Sequence, residues 1–314
     1  YTTRYVVTNS RYVSIDNSRI DDFCRTFKQG NLTHWWDVAP FKINQLSDEE
    51  KLTFLLIVDS ISFSYWGEPK WTVVYQKKRI DSGAFGLIAS IGKAYESNNL
   101  ILNANYISSI KKEEFAKILK ANVEIPLFEE RLKIIRDIGS VLVKKFDGKF
   151  SNLVKMANRD AMKLLQLITI TFPSFEDSAT YKGKKIYFYK RAQLLVSDIY
   201  HVFNGGGYGE LKEIDKLTAC ADYKLPQALR KIGLFSYSPE LEAKIDNRIP
   251  LEKGSEEEVE IRANTIWAVE CIKEMLKKNS PDILSIEIND YLWLIGVSIP
   301  SSDKPYHLTR TTSY

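Results

Sequence analysis

Ser255-Glu256-Glu257-Glu258-Val259-Glu260-Ile261-Arg262-Ala263-Asn264-Thr265-Ile266-Trp267-Ala268-Val269 is the stretch that decides the fold class. Its Ser-x-x-Glu opening reads as a capping box, in which serine and glutamate satisfy each other's free backbone N–H groups. Val259, Ala263, Ile266 and Val269 then recur on one face at helical spacing, so we expect a long helix through Trp267 toward Lys278. Similar signals spread outward. Ser47-Asp48-Glu49-Glu50 reads as a second capping box before Leu52 to Ile61. Pro126 suits a first helical position, with Gly148 as the stop. Ser238-Pro239 and Ser280-Pro281 each read as an N-cap followed by proline. After Lys190, the residues Ala192, Leu195, Ile199 and Val202 form another apolar stripe.

Strand signals are few. Trp71 to Tyr75 and the stretch near Ile80 predict a hairpin across Lys77-Lys78-Arg79, and Lys185 to Phe188 predicts a short extended piece. No repeat, low-complexity block or Pro/Ser-rich linker divides the chain. We expect one mainly α domain over residues 1–314, with a small β-hairpin and two helical lobes around a central cleft.

Composition narrows the partners. A chain of 314 residues, 44% of them hydrophobic, can bury a large core. It has no run of 18 apolar residues, so no membrane span is expected. It begins Tyr1-Thr2-Thr3-Arg4-Tyr5, without initiator Met or signal-peptide core, as expected of a chain trimmed at its start. Cys24, Cys220 and Cys271 are scattered, and His34, His201 and His307 lack ligand spacing. Neither a disulfide framework nor a metal centre is expected, and a reducing compartment is. The formal charge of +4 suits an anionic small molecule as well as a polynucleotide. The lysine pairs at 77–78, 111–112, 144–145 and 184–185 read as solvated faces.

Two segments carry the chemistry. Tyr189-Lys190-Arg191-Ala192-Gln193 offers a lysine at a helix start, and Ala221-Asp222-Tyr223-Lys224-Leu225-Pro226-Gln227 offers a carboxylate just before another helix. An N-glycosidic bond breaks through a sugar cation, which a nearby carboxylate can stabilise or attack. Asp222 follows Ala219, Cys220 and Ala221, small apolar neighbours whose desolvation would strengthen its field. Lys190 can hold a substrate oxygen, pair with Asp222, or act as an amine nucleophile. Taken alone, Asp222 also reads as a cap and Lys190 as a surface cation.

Other motifs leave alternatives. Asn204 to Gly209 lacks the Gly-Lys-Ser/Thr ending of a phosphate loop and reads as a flexible turn. The tail Pro305 to Tyr314 is either a frayed end or a phosphate site built on Arg310. Phe63, Tyr65-Trp66, Phe85 and Tyr291 to Trp293 can stack on a planar base or fill the core, with Phe63 and Trp293 inside apolar helical stretches. No Gly-x-Ser-x-Gly or Cys–His nucleophile arrangement is present.

Read in order, a larger set of segments resembles the queuosine salvage protein family, the queuosine 5′-monophosphate N-glycosylases. The set begins with Val58 to Trp66, Ser82 to Phe85, Ile125 to Arg131 and Lys163 to Leu167. Phe172 to Phe175, the Tyr189 and Ala221 runs, Glu258 to Arg262, Tyr291 to Trp293 and His307 to Tyr314 complete it. The resemblance implies a fold similar to the helix–hairpin–helix DNA glycosylases. It also implies hydrolysis to queuine, reusable in tRNA modification, and ribose 5-phosphate. By that analogy Asp222 is the catalytic carboxylate, and Lys190 holds the site and balances charge. Phe63, Asn289, Asp290 and Trp293 would hold the base, and His307, Arg310 and Tyr314 the phosphate. The family's aspartate before its Leu-Trp pair falls on either Asn289 or Asp290. Position 84 is Ala where the family more usually has an aromatic.

The expectation is thus a cytoplasmic monomer (also nuclear in a eukaryote) acting on a small nucleotide, with no cofactor, metal or membrane partner. A DNA-repair glycosylase and a non-catalytic modified-nucleotide binder are the rival readings. The first would need a basic, phosphate-tracking surface.

Overall fold

Glu256–Leu276 forms one unbroken helix that is buried on nearly every face, charged residues included. Buried charges persist only when paired, and this helix pairs its own with the rest of the chain. Glu260 accepts the backbone N–H of Arg11 and Tyr12 and the hydroxyl of Tyr181. Glu270 pairs with Lys273 at 2.7 Å and accepts the Ser285 hydroxyl. Its first turn is closed by Ser255 Oγ accepting the Glu258 N–H, while Glu258 accepts the N–H of Gly254.

The computed structural model describes residues 2–27 and 32–314. In chain order its first elements are α1 (Thr3–Val7), β1 (Val13–Ile15), α2 (Asn17–Thr26), α3 (Asp48–Ser60), β2 (Val73–Tyr75), β3 (Lys78–Ile80) and α4 (Gly83–Asn98). Then come α5 (Ala104–Ser108), α6 (Lys112–Ile118), α7 (Phe128–Phe146), α8 (Phe150–Met156) and α9 (Ala161–Thr171). A hairpin of β4 (Ser178–Tyr181) and β5 (Lys184–Tyr187) leads into α10 (Lys190–Val202). The chain closes with α11 (Lys224–Lys231), β6 (Phe235–Tyr237), α12 (Pro239–Asp246), α13 (Glu256–Leu276) and α14 (Ser285–Ser298). The fold is mainly helical, and its described strands form three antiparallel pairs, β1–β6, β2–β3 and β4–β5. No described helix is long and apolar enough to cross a membrane.

Two large hydrophobic clusters organise the helices. One joins α3, α4, α7, α9 and α10 through residues such as Phe54, Leu87, Ile135, Leu164 and Leu195. The other joins α11, α13 and α14 through Leu225, Ile261, Ile272 and Leu292. Trp293 packs against both. A smaller cluster of Tyr181, Ile186, Phe188 and Val259 seats the β4–β5 hairpin on α13.

Several boundaries differ from the sequence reading. The β2–β3 turn is Gln76-Lys77, with both residues left-handed, so Lys78 and Arg79 already belong to a strand. Pro126 does not open α7. Leu127 adopts φ 56°, and the Pro126 carbonyl is taken by Arg131 Nε at 3.0 Å. Ser280-Pro281 starts no helix, because the Ser280 N–H is spent on the Leu276 carbonyl at the end of α13; α14 begins at Ser285. Phe63 lies beyond α3, where the buried guanidiniums of Arg131 and Arg191 take the carbonyls of Ser60, Ile61 and Phe63. The C-terminal tail is not frayed. Ser64 donates its N–H to Tyr314 and its hydroxyl to the Thr311 carbonyl at 2.6 Å, and Tyr314 is buried.

Candidate active site

Lys190 and Asp222 are brought to one place by a buried clasp. Asp177, just ahead of β4, accepts the Lys190 backbone N–H at 3.0 Å, which holds the first turn of α10. Arg262 on α13 grips the same carboxylate with two bonds of 2.9 and 2.7 Å. Its Nε also reaches the carbonyl of Ala221, the residue before Asp222. The bidentate fork fixes direction as well as distance. The arginine holds Asp177 below the usual carboxylate range against the opposing cost of burial.

Above this clasp lies a cavity of about 240 Å³ lined from both clusters. Its lining includes Lys190, Phe63, Leu194 and Trp35 together with Asp222, Asn289, Asp290 and Trp293. Asp222 Oδ1 accepts the N–H of Lys224 at 2.7 Å and of Leu225 at 3.0 Å, capping α11. Both bonds fall on one oxygen, and Oδ2 takes none from a described residue. The Lys190 side chain, also buried, makes no hydrogen bond or ion pair with a described residue.

Asn289 and Asp290 are adjacent yet differently employed. The Asn289 amide is consumed on both sides: its Oδ1 accepts the Cys220 N–H at 2.9 Å, and its Nδ2 donates to Asp290 Oδ1 at 3.0 Å. Asp290 Oδ2 accepts no well-formed hydrogen bond from a described residue. Burial, then the nearby Asp198, push Asp290 well above the ordinary carboxylate range.

Two further carboxyls lie deeper. Asp59 on α3 and Asp198 on α10 are wholly buried. Asp198 accepts the indole N–H of Trp35 at 2.9 Å and of Trp36 at 2.7 Å. Burial raises both groups, Asp198 to about 7, and neighbouring Asp59 rises well above its ordinary value. Adjacent like charges out of water cannot both ionise cheaply, and burial is the largest cause that raises both, within the field of Lys190.

Lys70, Lys224, Tyr223 and Tyr306 also line the cavity. Lys224 Nζ bonds Gln227 Oε1 at 3.0 Å and the Gly296 carbonyl at 3.1 Å, and burial pulls its pKa down to about 8. Gly296 is needed here, since a Cβ would lie 2.6 Å from the Lys224 carbonyl oxygen and push α11 off α14. Gly83 plays a similar part for Tyr65, whose ring a Cβ would strike at 2.3 Å.

Of the residues singled out in the sequence, Phe63, Lys190, Asp222, Asn289, Asp290, Trp293 and Tyr314 all line this cavity. His307 and Arg310 do not. His307 is buried behind Tyr314, with Nε2 3.3 Å from its hydroxyl, and burial takes its pKa down to about 3, so the ring is neutral. Arg310 is exposed, stacked 3.6 Å over Trp66 and donating to its carbonyl at 3.0 Å. Tyr291 points elsewhere, packing on Phe23 and Phe27. Trp35 and Lys70 carried no local signal in the sequence, whereas Lys224 and Tyr306 stand in the Asp222 segment and the C-terminal tail without a role of their own.

Fold and cavity together define a mainly helical protein with a carboxylate-rich pocket sized for one small ligand. The chain belongs to the queuosine salvage protein family, whose description matches residues 42–314. Three relatives share the printed name queuosine 5′-phosphate N-glycosylase/hydrolase. The Sphaerobacter thermophilus protein is 37% identical, covering 100% of this chain and 96% of its own length. The Mus musculus protein is 36% identical over 99% of this chain and 97% of its own. The Dictyostelium discoideum protein is 32% identical over 100% and 97%.

Proposed function

We propose that this protein hydrolyses the N-glycosidic bond of queuosine 5′-monophosphate, releasing queuine for reuse in tRNA modification. The carrying observation is that Asp222 and Lys190 meet on the one cavity that also presents Asp290 and Trp293. In this reading the planar base lies against Trp293 and Phe63. Queuine is a 7-deazaguanine, so its ring N–H and exocyclic amine form a two-donor edge suited to Asp290 Oδ2 and its neighbour. Asn289, already doubly bonded, positions Asp290.

As the C1′–N bond breaks, its electron pair passes to the base and C1′ becomes electron-poor. The capped Asp222 carboxylate faces that charge and orients the water whose oxygen bonds to C1′; the water's proton leaves through Asp222 toward the departing base. Lys190 balances the buried carboxylates and holds a ribose oxygen. The phosphate belongs at the Lys70, Lys224 and Tyr306 end, beside the wall formed by Tyr314. Arg310 adds charge from behind Trp66, and His307 contributes by fixing Tyr314.

The same reading makes residues 1–314 a single domain of two helical lobes around this cavity, with the helix–hairpin–helix glycosylase type as its fold. The protein acts as a monomer on a free nucleotide, without metal, cofactor or nucleic acid. A cavity of about 240 Å³ supports a small ligand over a polynucleotide. Chromatography after incubation with queuosine 5′-monophosphate tests the activity: queuine should appear, and should not appear with Asp222→Asn. Intact nucleotide at high concentrations of the unsubstituted protein would leave a binding module instead.

A further inference from the structure

His34 stands outside both the catalytic reading and the residues matched to the family, yet it touches the carboxylate assigned to the base. Its Nε2 lies 3.1 Å from Asp290 Oδ2 and 3.5 Å from Asp198 Oδ1, with both His34 and Asp290 more than nine-tenths buried. Neither His34 Nε2 nor Asp290 Oδ2 has a well-formed hydrogen bond with a described residue. Buried polar atoms without partners are rare and call for an explanation.

The ring's orientation and tautomer follow from its surroundings. His34 Nδ1 accepts the Trp36 N–H at 3.2 Å, so the proton of the neutral ring sits on Nε2 and faces the two carboxyls. The ring is clamped from its other face by His201, stacked at 3.6 Å and 8° from parallel. Asp37 ties the pair together, accepting the His34 backbone N–H at 3.1 Å through Oδ2 and lying 3.0 Å from His201 Nε2 through Oδ1. Burial and the neighbouring His201 keep His34 well below its ordinary pKa, hence neutral. Asp290 therefore accepts Asn289 Nδ2 on Oδ1 and has His34 Nε2 only 3.1 Å from Oδ2, close enough to donate once the ring turns toward it.

Donor groups on both sides favour the charged form of a carboxyl against the burial that disfavours it, and in that form both oxygens accept. We propose that His34 is a positioning residue for base selection: it holds Asp290 as a two-oxygen acceptor, so the cavity selects bases presenting two adjacent N–H donors. The proposal rests on the reading that Asp290 faces the base. It assigns His34 no contact with the reacting atoms, and His34 does not line the cavity.

The test compares two competitive inhibitors, queuine and its analogue lacking the exocyclic amine, alongside steady-state kinetics with queuosine 5′-monophosphate. Unsubstituted protein should prefer queuine by at least about tenfold, the cost of a lost hydrogen bond to a charged group. His34→Ala should reduce that preference to about threefold or less and raise KM, with a much smaller change in kcat. His34→Gln, which restores an N–H near the Nε2 position, should recover most of the preference. A preference unchanged in His34→Ala, or lost equally in His34→Gln, overturns the proposal. Asp290→Ala separates the two layers of the argument. If that variant keeps the full preference, or unsubstituted protein shows none, the placement of the base at Asp290 is what fails.

Discussion

Asp222 and Asp290 line the same cavity, and their surroundings make them different chemical objects. Asp222 caps a helix, with two backbone N–H groups on one oxygen and the positive end of α11 behind it. Asp290 sits inside α14 with no helix end to favour its charge, and burial raises it well above the ordinary carboxylate range. One is pinned by backbone donors at a helix start; the other becomes a good acceptor when donors surround it. The first suits a site where positive charge develops during reaction, and the second suits recognition of a neutral polar edge.

Substituting both tests that division. Asp222→Asn preserves shape and removes the charge, so kcat should fall by about 10²-fold or more, with KM little changed. Asp290→Asn should instead act mainly on KM. Stopped-flow and steady-state assays showing the reverse pattern would exchange the two roles.

The clasp that holds Asp222 gives the next largest effect. Arg262→Met leaves Asp177 buried and unpaired, which should cost about 3–5 kcal/mol of stability. Denaturant unfolding checks it, and a loss under about 1 kcal/mol would mean that the clasp does not organise this half of the cavity.

The phosphate end comes third. Lys224→Met should raise KM for the 5′-monophosphate by about tenfold while barely affecting the unphosphorylated nucleoside, since one charge-assisted contact is worth about 1.5–3 kcal/mol. Arg310→Ala should do the same more weakly from its exposed perch on Trp66. Equal losses on both substrates would move the phosphate elsewhere.

The smallest effect is on pH dependence. Burial raises Asp198 to about 7 from an ordinary 3.8, so its stabilising contribution is present below about 4 and fades as pH rises through 7. Asp59 shifts in the same direction. Asp59→Asn removes the like-charge partner, so the drop in Tm between pH 5 and pH 8 should shrink by a few degrees. An unaltered slope would show that Asp59 does not influence the titration of Asp198.

Much of this was legible before any coordinates. The α13 pattern, the Ser47 capping box and the Ser238-Pro239 start all became helices, with Ser238 Oγ accepting the Leu241 N–H. The paired lysines are exposed, as their composition implied. The failures share a cause. Phe63 was misread because Arg131 and Arg191, remote in sequence, draw the carbonyls of Ser60 to Phe63 away from helical bonding, and Pro126 because Leu127 turns left-handed and Arg131 takes the proline carbonyl. β1 was missed because it is three residues long and pairs with β6 more than two hundred residues later. His34 was set aside because a lone histidine shows nothing of what surrounds it.

Periodicity and capping are local, so the chain's residues alone specified where most helices run and which carboxylate heads α11. Distances between helices are not local. Only packing brought His34 to Asp290, Arg262 to Asp177 and the C-terminal tail under Ser64, because a charge or an imidazole takes its character from water excluded by residues far away in the chain.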